Sequence, residues 1–232
     1  MMNVADVRYF LAEKYKNGEF IIDKSGVKTI ELIGARFEAD EDAIFGKLNK
    51  EYADKEIEWY LSQSLFVNDI ENTPTIWNSI SSKHKEINSN YGWCVFSKYN
   101  YNQYNFAVRE LILNPNSRRA VMMYNRPSMT IDYNKDGMDD YMCTYSTQEL
   151  IRNNQLIHIV NQRSMDAVFG YKNDRYWAYY ISKKIINDLK TNASAYYKNL
   201  SDEPKIIWLC GSLHVYERHF KYIDEYIKNK LM

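Results

Sequence analysis

Residues 143–170 read CTYSTQELIRNNQLIHIVNQRSMDAVFG, and the fold is decided within this stretch. It carries most of two candidate strands, 141–151 and 155–163. In the second, period-two alternation places Ile157, Ile159, Asn161 and Arg163 on one face. Arg163 then stands at a strand end beside the Ser164 hydroxyl, with Asp166 close behind, a way to present a guanidinium and a hydroxyl to a phosphate. If the two strands pair antiparallel, Cys143 lies near that same end. An isolated cysteine is most often a small buried hydrophobe. A neighbouring guanidinium changes this expectation, because a cation favours the thiolate over a thiol whose ordinary pKa is about 8.5.

Working outward, residues 2–17 read as an amphipathic helix ended by Asn17-Gly18, and VKTIELIG as a strand around 28–34. Ile44, Leu48, Tyr52, Ile57 and Tyr60 recur at helical spacing over 43–64, and 65–95 reads as loop. A helix at 98–112 is stopped by Asn114-Pro115-Asn116-Ser117, a strand begins at about Arg118, and NKDG suggests a hairpin turn. Helices at 175–189 and 215–229 enclose a buried strand, KIIWLCG. Strands and helices alternate without a strict βα repeat, so the pattern predicts an α+β single domain over 1–232, built on a large mixed β-sheet flanked by helices.

Two further groups carry possible chemistry. Arg118 and Arg119 are adjacent on a predicted strand and so face opposite ways. Both reach one phosphate only if the backbone bends or a second subunit intrudes. His214-x-Tyr216 follows the apolar KIIWLCGS strand, where binding groups gather in α/β architectures; the bland alternative is a partly buried histidine and a packing tyrosine. Two motifs fail. DYNKDGMDDYMC has Asp132, Asn134, Asp136 and Gly137 at calcium-loop spacing, but Cys143 stands where a bidentate Glu is required. The His and Cys spacing of zinc nucleobase deaminases is absent, as are a P-loop and a dinucleotide glycine signature, so no metal is expected.

Composition sets the boundaries. The 30 basic and 30 acidic side chains balance, which gives no sign of a surface for wrapping nucleic acid, while a small anion needs only a few placed cations. The 3 cysteines are widely spaced and support neither a disulfide scaffold nor a cysteine-rich metal site. The charged N-terminal segment lacks the apolar core of a signal peptide, and no apolar run approaches the roughly 20 residues needed to span a bilayer. A reducing cytoplasm is the expected compartment, with no membrane binding.

With these residues in place, the chain resembles the thymidylate synthase superfamily, and within it the phage branch that hydroxymethylates deoxycytidylate. The resemblance runs from DKSGVKTIELIG to GSLHVY, and its most specific part is the cysteine followed by the Arg of Q-R-S-x-D. It implies that Cys143 adds to C6 of a pyrimidine, that Arg163, Ser164 and Lys24 bind its phosphate, and that Arg118 and Arg119 reach the phosphate bound by the partner subunit of a homodimer. His214 and Tyr216 would contact the sugar, Glu56 would organise water and proton transfers, and Trp77, Tyr91 and Asp166 would belong to the folate-side and catalytic pocket. The co-substrate implied is 5,10-methylenetetrahydrofolate, and the substrate is a free pyrimidine nucleoside monophosphate.

Asp174 carries the choice of base. Uracil-specific members have Asn there, whereas an ionised carboxylate accepts from the amino group of cytosine and, when it shares a proton, addresses N3. Against O4 of uracil the same carboxylate is a buried mismatch of about 1–3 kcal/mol. The expectation is therefore hydroxymethylation of dCMP, giving 5-hydroxymethyl-dCMP and tetrahydrofolate for modified-DNA synthesis in a host cytoplasm. Thr144 and Met142 flank the nucleophile where synthases commonly have His and Pro, which suits the same branch. The sequence stops at Met232 without the C-terminal extension that closes over folate in synthases, which leaves pocket closure open. The alternatives are a dUMP hydroxymethylase, a methylating synthase and a non-catalytic nucleotide-binding protein.

Overall fold

The computed structural model describes residues 1–231; Met232 lies outside the described residues. Strand β1 (Met2–Asn3) leads into α1 (Val4–Lys16), followed by β2 (Ile21–Ile22), β3 (Lys28–Glu38), α2 (Lys50–Ser62), α3 (Thr75–Ile80), α4 (Tyr91–Phe96) and α5 (Gln103–Leu113). After β4 (Val121–Met123) come the one-turn α6 (Met129–Asp132), β5 (Thr144–Arg152), β6 (Gln155–Asp166), the long α7 (Gly170–Asn192), α8 (Ser194–Tyr197), β7 (Lys205–Tyr216) and α9 (Phe220–Leu231).

Among the described residues the strands form one seven-stranded sheet in the order β1-β3-β7-β6-β5-β4, with β2 on β3. The β1–β3 and β6–β7 pairs are parallel and the others antiparallel, so the sheet is mixed as the sequence pattern predicts. One face carries the core. On β6 the even-numbered Leu156, His158, Val160 and Gln162 are buried, while Ile157, Ile159 and Asn161 on the other face are half-buried. Two apolar clusters sit under the helices, one around α2, α4 and α5 and one around α1, β3 and β7. Helix α7 joins them, giving Trp177 and Ile181 to the first and Tyr171 and Ala178 to the second. It is fastened to the sheet that carries Cys143.

Several boundaries differ from the sequence expectation. Segment 65–95 is not all loop: α3 and α4 lie within it, and Gly92 lets α4 press against α2 so closely that a Cβ would stand 1.9 Å from the Tyr60 carbonyl oxygen. Helix α1 starts at Val4 because Asn3 and Asp6 form a capping box. Helix α2 starts only at Lys50, where the Asn49 side chain caps it, and α5 only at Gln103, capped by Asn102. Arg118 does not begin a strand; its carbonyl accepts from Gln148, and pairing starts at Val121. NKDG is not a hairpin turn. It forms a short 3-10 turn held to the segment after α3 by the Lys83–Asp136 ion pair at 2.6 Å. Strand β6 continues past Arg163 to Asp166, α7 begins at Gly170, and β7 continues to Tyr216. His214 and Tyr216 therefore ride on the strand itself, where Asp166 of β6 pairs with His214.

Candidate active site

The antiparallel β5–β6 register puts Thr144 opposite Gln162, and the Arg163 N–H donates to the Cys143 carbonyl at 2.9 Å. The geometric condition set by the sequence is met: the Cys143 thiol and the Arg163 guanidinium share one end of the strand pair. Arg163 Nε donates to the Met142 carbonyl at 3.1 Å, Nη2 lies 3.6 Å from Cys143 Sγ, and the guanidinium sits over the Tyr141 ring. Gly211 on β7 permits this crowding, since a Cβ there would meet the Arg163 carbonyl oxygen at 2.8 Å.

The electrostatic expectation needs correction. Burial pushes the Cys143 thiol up to about 11; Arg163 pulls it down, and Asp174 and Asp140 oppose that pull. The cation works in the expected direction, but desolvation outweighs it. Desolvation thus favours the thiol over the thiolate in the ligand-free site.

Opposite Cys143 stands a wall of buried polar groups. Asp174, on the first turns of α7, accepts from Gln162 Nε2 at 2.7 Å and from the Tyr91 hydroxyl at 3.2 Å. Trp208 Nε1 donates to Gln162 Oε1 at 2.9 Å, which fixes the amide with its NH₂ toward the carboxylate. Burial pushes Asp174 up to about 6, and the two hydrogen bonds restrain the rise. Glu56, on α2, is buried and accepts from the Tyr52 hydroxyl at 2.8 Å, while Tyr52 accepts from Trp77 Nε1 at 3.0 Å. Burial, reinforced by Asp174, pushes Glu56 up to about 8. Two carboxyl groups able to hold protons near neutrality thus face one thiol.

These groups line a cavity of about 580 Å³, which includes Cys143, Glu56, Asp174, Trp77, Tyr91, Asp166 and Tyr216 of the residues expected from sequence. The chain does not bring the others to it directly. Lys24 is exposed in the turn before β3, 3.9 Å from Asp139. Arg118 and Arg119 are exposed beyond the start of β4. Ser164 lies beside Ser212 on the sheet, and His214 packs its ring against Tyr216 at 4.7 Å, with burial lowering the His214 pKa.

The sequence reading missed Gln162, Tyr52 and Asp140. Gln162 was legible as a polar residue on the otherwise apolar face of β6, and Tyr52 as the residue four before Glu56 on a helix. Asp140 gave no signal. Its buried carboxylate accepts from the Asn88 and Ser89 amides and the Ser89 hydroxyl, tying the approach to Cys143 onto the segment before α4.

A mixed-sheet α+β domain that sets a thiol against an arginine and a hydrogen-bonded carboxylate carries the groups that covalent thiol catalysis requires. The comparisons narrow the class. The Thymidylate synthase family model matches residues 9–232. The deoxycytidylate 5-hydroxymethyltransferase of Enterobacteria phage T4 is 52% identical over 98% of this chain and 92% of that protein, and the one of phage T2 is 52% identical over 97% and 91%. A thymidylate synthase of Francisella tularensis is 26% identical over 95% of this chain and 83% of its own. The crystal structure of thymidylate synthase from T4 phage superposes with a TM-score of 0.71 at 21% identity, covering 94% of this chain and 79% of that one. The chain belongs to the thymidylate synthase family.

Proposed function

We propose that this chain is a deoxycytidylate 5-hydroxymethyltransferase, a single catalytic domain that converts dCMP and 5,10-methylenetetrahydrofolate into 5-hydroxymethyl-dCMP and tetrahydrofolate. The observation that carries the proposal is Asp174, a carboxylate held by Gln162 and Tyr91 in the same cavity as Cys143. With its pKa near 6, both forms are accessible around neutrality. The ionised form accepts from the 4-amino group of cytosine, and the protonated form donates to N3. An amide NH₂ in place of the carboxylate would suit O4 of uracil. The names of the half-identical phage relatives agree.

Cys143 Sγ adds to C6, which interrupts the aromatic ring and gives C5 enamine character. Since desolvation favours the thiol, the step needs a proton acceptor and the field of Arg163. A nucleotide phosphate gripped by Arg163 would also spend remote binding energy on holding C6 close to sulfur. Glu56, with its pKa near 8, can hold a proton or orient a water beside the ring, and Tyr52 fixes its carboxyl. The wall of Ile76, Trp77, Ile80 and Phe169 suits a flat bicyclic ring, so folate would lie there with Asp166 at the edge. When bound, the folate supplies a one-carbon unit at the oxidation level of formaldehyde.

Two features support a homodimer. Arg118 and Arg119 are exposed cations without a role in their own cavity, and the sheet face opposite the helices is open. That face presents Ile33, 76% exposed, with Ile157 and Ile159 half-buried, an apolar surface suited to a second copy.

Incubation with methylene-labelled 5,10-methylenetetrahydrofolate and each nucleotide tests the proposal. Labelled 5-hydroxymethyl-dCMP with tetrahydrofolate is the expected product. Dihydrofolate with dTMP, or faster turnover of dUMP than of dCMP, would sink it.

A further inference from the structure

Glu149 and His158 face each other across the β5–β6 pairing, both fully buried, with Glu149 Oε2 at 2.9 Å from His158 Nδ1. Neither lines the cavity that holds Cys143, and none of the chemistry above uses them. A buried carboxylate and imidazole in an apolar core are a standing cost to the fold, and apolar residues would fill the same space. Their outer atoms make the arrangement stranger still. Among the described residues His158 Nε2 has no hydrogen-bond partner, and Thr147 Oγ1, two positions before Glu149 and near the Tyr124 hydroxyl, has none in good geometry.

His158 and Thr147 border a second, small internal cavity of about 10 Å³, whose wall also includes Thr144 and Asp174, while Glu149 stands behind His158. Such a space holds about one water, which requires two to four polar partners. His158 Nε2, Thr147 Oγ1 and the Asp174 carboxylate supply three. Asp174 and Tyr91 line this cavity and the larger one as well, so they are the partition between them. Gln162 and Tyr91 occupy one lone pair on each Asp174 oxygen, which leaves capacity for a third donor.

We propose that the Glu149–His158 pair, acting through one water held in this small cavity, positions Asp174 for cytosine. With Nδ1–H donated to Glu149, His158 Nε2 accepts one hydrogen of the water, Thr147 shares its oxygen, and the second hydrogen goes to Asp174. The carboxylate is thereby held as an acceptor from behind while its front faces the base. The pair is a positioning element, remote from the reacting atoms, and its proposed role rests on the reading of Asp174 as the residue that recognises the base.

The test is the ratio of kcat/KM for dCMP to that for dUMP in three variants. Glu149→Met combined with His158→Leu replaces the pair by apolar groups of similar size, so the fold is retained. The expected result is a tenfold fall in the ratio, borne by dCMP alone, with a melting temperature close to wild type. Thr147→Val removes one partner of the water without touching the pair, and a threefold fall is expected, which decides the matter should the double variant fail to fold. Equal loss with both nucleotides, or an unchanged ratio in the folded variants, overturns the proposal. Asp174→Asn is the control: if it leaves the ratio unchanged, the substrate assignment fails, and if it alone changes the ratio, only the positioning role fails.

Discussion

At one end of the cavity Asp174 and Glu56 are buried, and each is held by hydrogen bonds from side chains of the same chain. The cations expected to meet a phosphate are scattered outside that wall: Arg163 lies against Cys143, while Lys24 before β3 and the adjacent Arg118 and Arg119 before β4 stand exposed. The base-facing end is preorganised, and its cost is paid in folding. In the proposed enzyme the phosphate-facing end is left to be assembled by the ligand and by a second subunit. Groups that must discriminate a proton pattern need fixed geometry, because one misplaced donor erases the difference between cytosine and uracil. Groups that grip a dianion need only charge within reach, and long side chains supply it from several directions.

The largest effect should come from the one atom both ends serve. Cys143→Ser is expected to lower turnover by at least about 10⁴-fold while changing the dissociation constant of dCMP less than about threefold, since an alcohol lacks the nucleophilicity of a thiolate. Steady-state turnover and calorimetric binding check the two halves of that statement. The comparison breaks if binding is lost as well, because the phosphate end would then depend on sulfur. Next, Asp174→Asn should change the dCMP-to-dUMP ratio of kcat/KM by about 10–100-fold toward dUMP, the size expected when a buried donor–acceptor pattern is inverted. Competition between the two nucleotides in one reaction measures it directly.

The same division marks what the sequence could reveal. The apposition of Cys143 and Arg163 was derivable from two adjacent strands and period-two alternation, because a sheet's geometry converts register directly into distance. Asp174 and Glu56 were not derivable in that way. They arrive on α7 and α2, whose rotation and docking are set by packing of Trp177, Tyr60 and their neighbours, which no local pattern encodes; the family resemblance supplied them. The boundary errors have the same cause. Helices α3 and α4 are each a turn or two long and carry too few residues to show a period, and the continuation of β7 through His214 and Tyr216 depends on pairing with β3 and β6. The thiol's raised pKa was equally hidden, since burial of Sγ follows from the assembled cavity.

A smaller effect tests the phosphate end. If Arg118 and Arg119 serve the partner's site, Arg118→Ala and Arg119→Ala should each lower kcat/KM for dCMP by about tenfold, a loss of one charge-assisted phosphate contact. Mixing the Arg119→Ala protein with the inactive Cys143→Ser protein, after unfolding and refolding together, should restore activity. In the mixed dimer one site has an intact cysteine in its own chain and an intact arginine from its partner. Activity no higher than that of the Arg119→Ala protein alone would place the arginine in its own chain's site.

The smallest effect concerns the cost of preorganisation itself. Glu56 is raised from an ordinary value of 4.5 to about 8 by burial, so the fold favours its protonated form. A group of this sign contributes stability that is fully present below its unfolded pKa and is lost as pH rises through the folded one. Wild-type protein should therefore lose melting temperature progressively between about pH 4.5 and pH 8, where the unfolded chain has ionised Glu56 while the folded one still holds its proton, and level off above that. Glu56→Gln keeps an acceptor for the Tyr52 hydroxyl and cannot ionise. It should match wild type near pH 4 and melt at least roughly 5 °C higher at pH 9, given that 1 kcal/mol moves a chain of this size by about 2–4 °C. Calorimetry at the two pH values checks it, and turnover should fall in the same variant because the proton is gone. An Arg118→Ala control should show no such pH-dependent gain, since an exposed cation carries no burial penalty to relieve. Equal pH profiles for Glu56→Gln and wild type would mean that the base-facing end bears no stored cost, and the contrast between the two ends would lose its energetic meaning.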